Sequence, residues 1–193
     1  LPWRRGHSPL QWATDYEDYL LQIWEREEFD EYWQQIGLCA EAHYSTFSDV
    51  PQVHLGGWYD TYARSTTDNY IALSHIKQGP AQLIMGPWIH GAQSVSYAGD
   101  VEMGSTAPVE GNLAIDYNHL MLRFFNRWLL AIASSQPTEP PVRIFVMGDN
   151  AWRFENEWPL QRTEFTKFYL HSGGRANSLA GDGELTTTPP RTD

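Results

Sequence analysis

Two residues stand where acid–base chemistry could be done. Asp60 closes the run Gly56-Gly57-Trp58-Tyr59-Asp60, and His90 closes Gly86-Pro87-Trp88-Ile89-His90, 30 residues later. A carboxylate beside an imidazole fixes the tautomer of the ring and stabilises the imidazolium formed when it takes a proton. An Asp after a strand can equally be a helix cap, and a His after Gly-Pro-Trp can simply sit in a loop. Spacing alone leaves both readings open.

The pair needs elements that bring it together. Val50 to Gly57 reads as a strand ending in a tight turn, and Thr61 to Gln78 has helical periodicity through Tyr62, Thr66, Asn69, Leu73 and Ile76. Ala81 to Met85 is a second short apolar strand. Strand, helix and strand within about 36 residues is the length of a crossover between parallel strands. The C-terminal ends of such strands lie side by side, and ligands collect at that edge.

The flanking regions read as follows. Residues 8 to 38 read as helical, started by Ser8-Pro9 and carrying Trp12, Tyr16, Tyr19, Leu20, Ile23 and Trp24 at helical spacing, with the glutamates on a solvated face. His90 to Asn112 is a long polar segment of the kind that serves as a lid or stays mobile. Asn112 is the expected cap of a helix with the apolar stripe Leu113, Tyr117, Leu120, Met121, Phe124, Trp128 and Ile132. After a linker-like stretch at 134–141, Val142 to Met147 and Thr163 to His171 read as strands of an antiparallel module that is only begun here. Gly173 to Asp193 reads as a polar surface loop.

The local words around the two residues carry a resemblance. Val50-Pro51-Gln52-Val53-His54-Leu55-Gly56-Gly57-Trp58-Tyr59-Asp60 resembles the triad-acid segment of the cocaine-esterase-like hydrolases, relatives of the X-Pro dipeptidyl-peptidases. Gly86-Pro87-Trp88-Ile89-His90 is similar to the segment that carries that family's triad histidine. Pro141-Val142-Arg143-Ile144-Phe145-Val146-Met147-Gly148, then Trp152-Arg153, Trp158-Pro159 and Tyr169-Leu170-His171, resemble the start of its C-terminal jelly-roll domain. The resemblance runs in the family's order over most of residues 30 to 172.

It implies an α/β fold: the C-terminal part of an α/β-hydrolase core at 50–136, the end of a helical cap at 1–49, and the beginning of a β-sandwich at 137–193. It implies a serine hydrolase that cleaves an ester or amide through an acyl-enzyme, with Asp60 orienting His90. In such enzymes the chain order is Ser, acid, His, so the nucleophile and oxyanion hole are expected upstream of Leu1. The ends of the chain, Leu1-Pro2-Trp3 and Pro190-Arg191-Thr192-Asp193, likewise suggest an internal piece of a longer polypeptide, whose remainder is then its first partner. Esterase, acylase and X-Pro dipeptidyl-peptidase all stay open.

One serine imitates a nucleophile. Ser94-Val95-Ser96-Tyr97-Ala98-Gly99 resembles the family's Gly-x-Ser-Tyr-x-Gly elbow, with Ser94 in the place of the first Gly. Such an elbow needs a strand before it and a helix after it, and Ser96 follows the histidine instead of preceding it. It is read as a loop serine. Trp58, Tyr59, Tyr62 and Trp88 either line an apolar acyl pocket or serve as core and rim aromatics. His54 is read as a packed histidine, and His43, His75, His119 and His171 lack any ligand spacing.

Composition bounds the rest. A chain of 193 residues with 14% aromatics has ample material for a core. A net charge of −11 disfavours nucleic acid, and no apolar run is long enough to span a bilayer. The single Cys39 permits no internal disulfide and no cysteine-rich zinc site. No metal or organic cofactor is implied; the expected partner is a small-molecule ester or amide, with homo-oligomerisation left open. The rival class is a non-catalytic module whose aromatics hold carbohydrate or a partner protein. Such a module has no use for an Asp and a His at adjacent strand ends.

Overall fold

The computed structural model describes residues 3–132 and 139–190. Its centre is a four-stranded sheet of order β1-β2-β5-β6, with β1 at Gln52–Gly57, β2 at Ala81–Gly86, β5 at Val142–Val146 and β6 at Ala151–Glu155. The first three run parallel and β6 returns antiparallel. Helix α2, Ala63–Ile76, makes the crossover from β1 to β2, as the spacing predicts. Helix α3, Tyr117–Leu129, lies in the connection from β2 to β5. The chain is therefore α/β, with a mixed sheet.

Alternation along the strands divides the core in two, because successive side chains point to opposite faces. Leu83 and Met85 of β2 and Val142 and Ile144 of β5 pack under Tyr70 of α2. Ile84 faces the other way, onto Leu113, Leu120 and Trp88, with Val53 and Leu55 of β1 beside them. Leu83, Ile84 and Met85 are fully buried; each such side chain stabilises the fold by about 1.5–3 kcal/mol relative to exposure. On the α3 face Arg143 is buried as well, held by Glu139 and Gln82 at 2.9 Å each.

Several expectations need correcting. β5, expected to open an antiparallel module, pairs antiparallel with β6 but also joins β2 as the third parallel strand of the central sheet. The linker-like composition at 134–141 hid this, because α3 had already supplied the crossover helix. Residues 134–138 of that stretch lie outside the described residues.

The N-terminal helix α1 covers only Thr14–Trp24. Ser8 does not cap it. Its hydroxyl donates to Glu17 Oε1 at 2.7 Å and accepts from the Leu10 N–H, while Glu17 also accepts from the N–H groups of Gly6 and Ser8. Glu17 is thus a buried organiser of the N-terminal loop and no part of a solvated face. Residues 31–38 form turns, because Asp30 Oδ1 accepts the Tyr32 N–H and diverts the backbone from helix. Trp12 and Tyr16 are exposed, so the expected packing stripe is only partly used.

Asn112 does not cap α3. Asp116 does, accepting the His119 N–H at 2.7 Å. The Asn112 amide instead bonds the carbonyls of Ser105, Pro108 and Glu110. The segment expected to be a lid is packed: Met103, Ala107 and Val109 are buried, and β3 (Tyr97–Ala98) pairs with β4 (Val101–Glu102) in a short hairpin. Of the strand expected at 163–171 only β7, Tyr169–His171, forms. Its partner is β8, Glu184–Thr186, inside the stretch read as a surface loop.

Candidate active site

Asp60 and His90 meet at the C-terminal edge of the sheet. β1 and β2 end in register at Gly57 and Gly86, and each runs straight into a turn. The turns are tied together: the Trp58 N–H donates to Gly86 O at 2.8 Å and the Tyr59 N–H to Trp88 O at 3.2 Å. Glycine is required at this junction. A Cβ on Gly57 would lie 2.0 Å from Trp88 O, and one on Gly86 would lie 2.4 Å from the Trp88 ring. The two turns close on each other because neither glycine holds them apart.

The result is a hydrogen bond of 2.9 Å between His90 Nδ1 and Asp60 Oδ2. Asp60 Oδ1 accepts the Tyr62 N–H at 2.9 Å and, more weakly, the Thr61 hydroxyl at 3.4 Å. Asp60 is therefore not the cap of α2: one oxygen closes a turn on the Tyr62 N–H just before the helix, and the other holds His90. The Tyr62 N–H holds the carboxyl below its ordinary range, helped by His90 and Thr61 and opposed by burial. An ionised carboxylate only accepts, so Nδ1 carries the proton and the neutral ring has its lone pair on Nε2. Among the described residues Nε2 has no hydrogen-bond partner, and the His90 side chain is 74% exposed.

A recess of about 220 Å³ opens beside the pair, lined among others by Leu55, Tyr62, Thr66, Trp88 and Gln93. Of the aromatics singled out from sequence, Tyr62 lies with its ring 5.4 Å from the His90 ring and is exposed. Trp88 reaches the recess but is otherwise core, and its indole N–H donates to Ala107 O at 2.9 Å. Trp58 turns away, donating to Phe145 O at 2.8 Å and packing on Trp158. Tyr59 is exposed and does not line the recess. Thr61, Thr66 and Gln93 escaped sequence reasoning. Only Thr61 had a signal, the Asp-Thr-Tyr word of a turn whose Asp side chain bonds the backbone two residues on.

Ser96 makes no hydrogen bond to the pair among the described residues; its carbonyl is bound by the Met103 N–H at the β3–β4 hairpin, and Ser94 donates to Glu110 at 2.6 Å. No strand-to-helix turn surrounds either serine. His54 is packed against Tyr70 and bonded to Gln52, with burial lowering its pKa. Among the described residues no three His, Cys, Asp or Glu side chains converge as a metal would require.

Residues 2–92 match the X-Pro dipeptidyl-peptidase (S15) family, and residues 137–193 match the X-Pro dipeptidyl-peptidase C-terminal non-catalytic domain. The cocaine esterase of Rhodococcus sp. (strain MB1 Bresler) is 31% identical over 181 residues, which is 93% of this chain. The chain belongs to the cocaine-esterase-like, X-Pro dipeptidyl-peptidase family. It spans only 29% of that esterase's length. Solved structures of similar fold include an aminopeptidase from a marine-sediment Thaumarchaeota archaeon, at a TM-score of 0.65 and 18% identity. That match covers 95% of this chain and 28% of the other. A CocE/NonD family hydrolase from Staphylococcus aureus follows at 0.54 and 18%, covering 83% and 26%. At such identities these two speak for the fold alone.

Proposed function

We propose that the intact protein is a serine hydrolase that cleaves an ester or amide through an acyl-enzyme. Asp60 is the triad acid and His90 the triad histidine. The observation that carries this reading is the 2.9 Å contact from Asp60 to His90 Nδ1, which leaves Nε2 as the basic nitrogen beside a recess. His90 Nε2 takes the proton of a serine hydroxyl as its oxygen attacks the acyl carbon, then gives that proton to the leaving group. Asp60 keeps the tautomer and stabilises the imidazolium. Tyr62 and Trp88 wall the recess and shelter an apolar acyl group; Tyr59 and Trp58 are weaker candidates on the contacts described above.

The serine and the oxyanion donors belong, on this reading, to parts of the polypeptide outside these 193 residues. Residues 50–136 form the end of an α/β-hydrolase core, 1–49 the end of a helical cap, and 137–193 the start of a jelly-roll, whose first strands extend the core sheet. A carbohydrate- or protein-binding module has no use for a carboxylate-held imidazole at a strand edge, so the hydrolase reading is preferred. The test is turnover of activated acyl esters, and labelling by a fluorophosphonate, in the full-length protein and its His90→Ala variant. Loss of both in the variant is expected; undiminished turnover would overturn the assignment.

A further inference from the structure

We propose that the β5–β6 hairpin positions the Asp60–His90 pair, acting through the indoles of Trp58, Trp88 and Trp152. This rests on the reading of Asp60 and His90 as triad residues. It gives a catalytic task to a segment within 137–193, the region that matches a domain described as non-catalytic. The task is positioning, since no side chain of the hairpin touches the pair.

Each half of the pair is anchored two residues upstream. On the Asp60 side, Trp58 reaches across the sheet edge and donates its indole N–H to Phe145 O of β5 at 2.8 Å. On the His90 side, Trp88 is 1% exposed and packs its ring 5.6 Å from that of Trp152 on β6. The Trp88 N–H goes to Ala107 O at 2.9 Å and the Trp152 N–H to Thr106 O at 2.8 Å, so both indoles grip the same loop. Thr106 closes the circuit by donating to Asn150 O, in the β5–β6 turn, at 2.6 Å. Phe145 completes the packing, with its ring 5.5 Å from Trp152.

Both turns thus end on one hairpin. A shift of the hairpin against β1 and β2 would move the Asp60 turn through Trp58 and the His90 turn through Trp88, by different lever arms. A hydrogen bond of 2.9 Å tolerates little of that, and a displacement near 1 Å can cost about 10²-fold in rate. Each indole N–H, that of buried Trp88 and those of half-buried Trp58 and Trp152, has one carbonyl partner, so the coupling is directional as well as apolar.

The test uses the full-length enzyme. Trp152→Phe and Trp58→Phe keep a ring in place and remove one N–H each. Thr106→Val removes the bond to Asn150 at an exposed site and serves if a tryptophan variant folds poorly. Leu170→Ala, on exposed β7 in the same C-terminal stretch, is the control. Each tryptophan variant is expected to lower kcat by about tenfold with KM moved far less, and Thr106→Val to act in the same direction but more weakly. The His90 Nδ1–H proton resonance should weaken or move upfield in step. Unchanged kcat and an unchanged resonance in folded variants, with only a lower Tm, would overturn the proposal. Should His90→Ala keep wild-type turnover, the triad reading fails instead, while the resonance still reports whether the hairpin holds the pair.

Discussion

His90 and Asp60 share one hydrogen bond of 2.9 Å but live in different surroundings: the imidazole side chain is 74% exposed and the carboxylate 8%. The buried partner is the one with fixed contacts, through the N–H of Tyr62 and the hydroxyl of Thr61, whereas the exposed partner has one nitrogen held and one free. That asymmetry assigns the labour. On the proposed reading, Asp60 is the orienter and His90 the group that exchanges protons.

Asp60→Asn in the full-length protein keeps the shape but favours the wrong imidazole tautomer. In serine proteases the equivalent change lowers kcat by about 10⁴, or about 5 to 6 kcal/mol of transition-state stabilisation. A loss of at least about 10³ in kcat is expected here, with KM changed far less. His90→Ala should lose more, and the double variant should be little worse than His90→Ala, because the carboxylate acts only through the ring. Steady-state kinetics on an activated acyl ester, with folding confirmed for each variant, decide it. Single losses that multiply in the double variant would mean that the two do not act as one unit.

Gly57→Ala tests the junction that brings the turns together. Its Cβ would sit 2.0 Å from Trp88 O, against backbone that has no side-chain freedom to yield. The two turns must separate, lengthening the Asp60–His90 contact. A fall in kcat of about 10²-fold is expected, alongside lower stability. Folded Gly57→Ala enzyme with wild-type kcat would show that the contact survives without this close approach.

How much of this was legible beforehand follows from the range of the interactions involved. β1, α2 and β2 were readable because their signals are local: alternating apolar residues, helical spacing, and glycines at the strand ends. That topology allowed Asp60 and His90 to meet, since parallel strands put their C-terminal ends at one edge, but it was the family motifs around them that favoured the pair over a cap and a loop residue. The place of β5 was not readable, because its parallel pairing with β2 depends on α3 and on contacts across some 60 residues. Ser8 and Asn112 misled for one shared reason. Each carries a side chain that can serve a cap or a turn, and tertiary neighbours decide which: Glu17 took the Ser8 hydroxyl, and three loop carbonyls took the Asn112 amide.

Acid should reveal Asp60 through stability. Its folded pKa is lowered, chiefly by the Tyr62 N–H, so its contribution is full above the unfolded value of about 3.9 and fades as pH falls through the folded value. Glu17, Glu155 and Asp182 are lowered too and add to the acid sensitivity of the wild type. Only the difference from Asp60→Asn isolates Asp60. The stability gap between wild type and variant, measured by denaturant midpoints, should narrow below about pH 4. A gap that does not change with pH would mean that the carboxylate charge stabilises nothing.

The last expectation concerns Ser96 and the 193-residue chain by itself. A nucleophilic serine must place its hydroxyl within reach of the basic nitrogen of His90, with N–H donors facing the developing oxyanion. Ser96 has neither: it sits at the β3–β4 hairpin, and Ser94 beside it spends its hydroxyl on Glu110. Among the described residues no hydroxyl bonds His90. Among the described residues β1 also has a partner on one side only, so in this chain its outer edge is open to pairing and to aggregation. Expressed alone, the chain should therefore hydrolyse no activated ester above background and should be poorly soluble. Incubation with a fluorophosphonate followed by peptide mass spectrometry checks this directly. Modification of Ser96 would show that the hairpin can rearrange into a working nucleophile; an unmodified chain beside a labelled full-length protein would place the attacking serine elsewhere in the polypeptide.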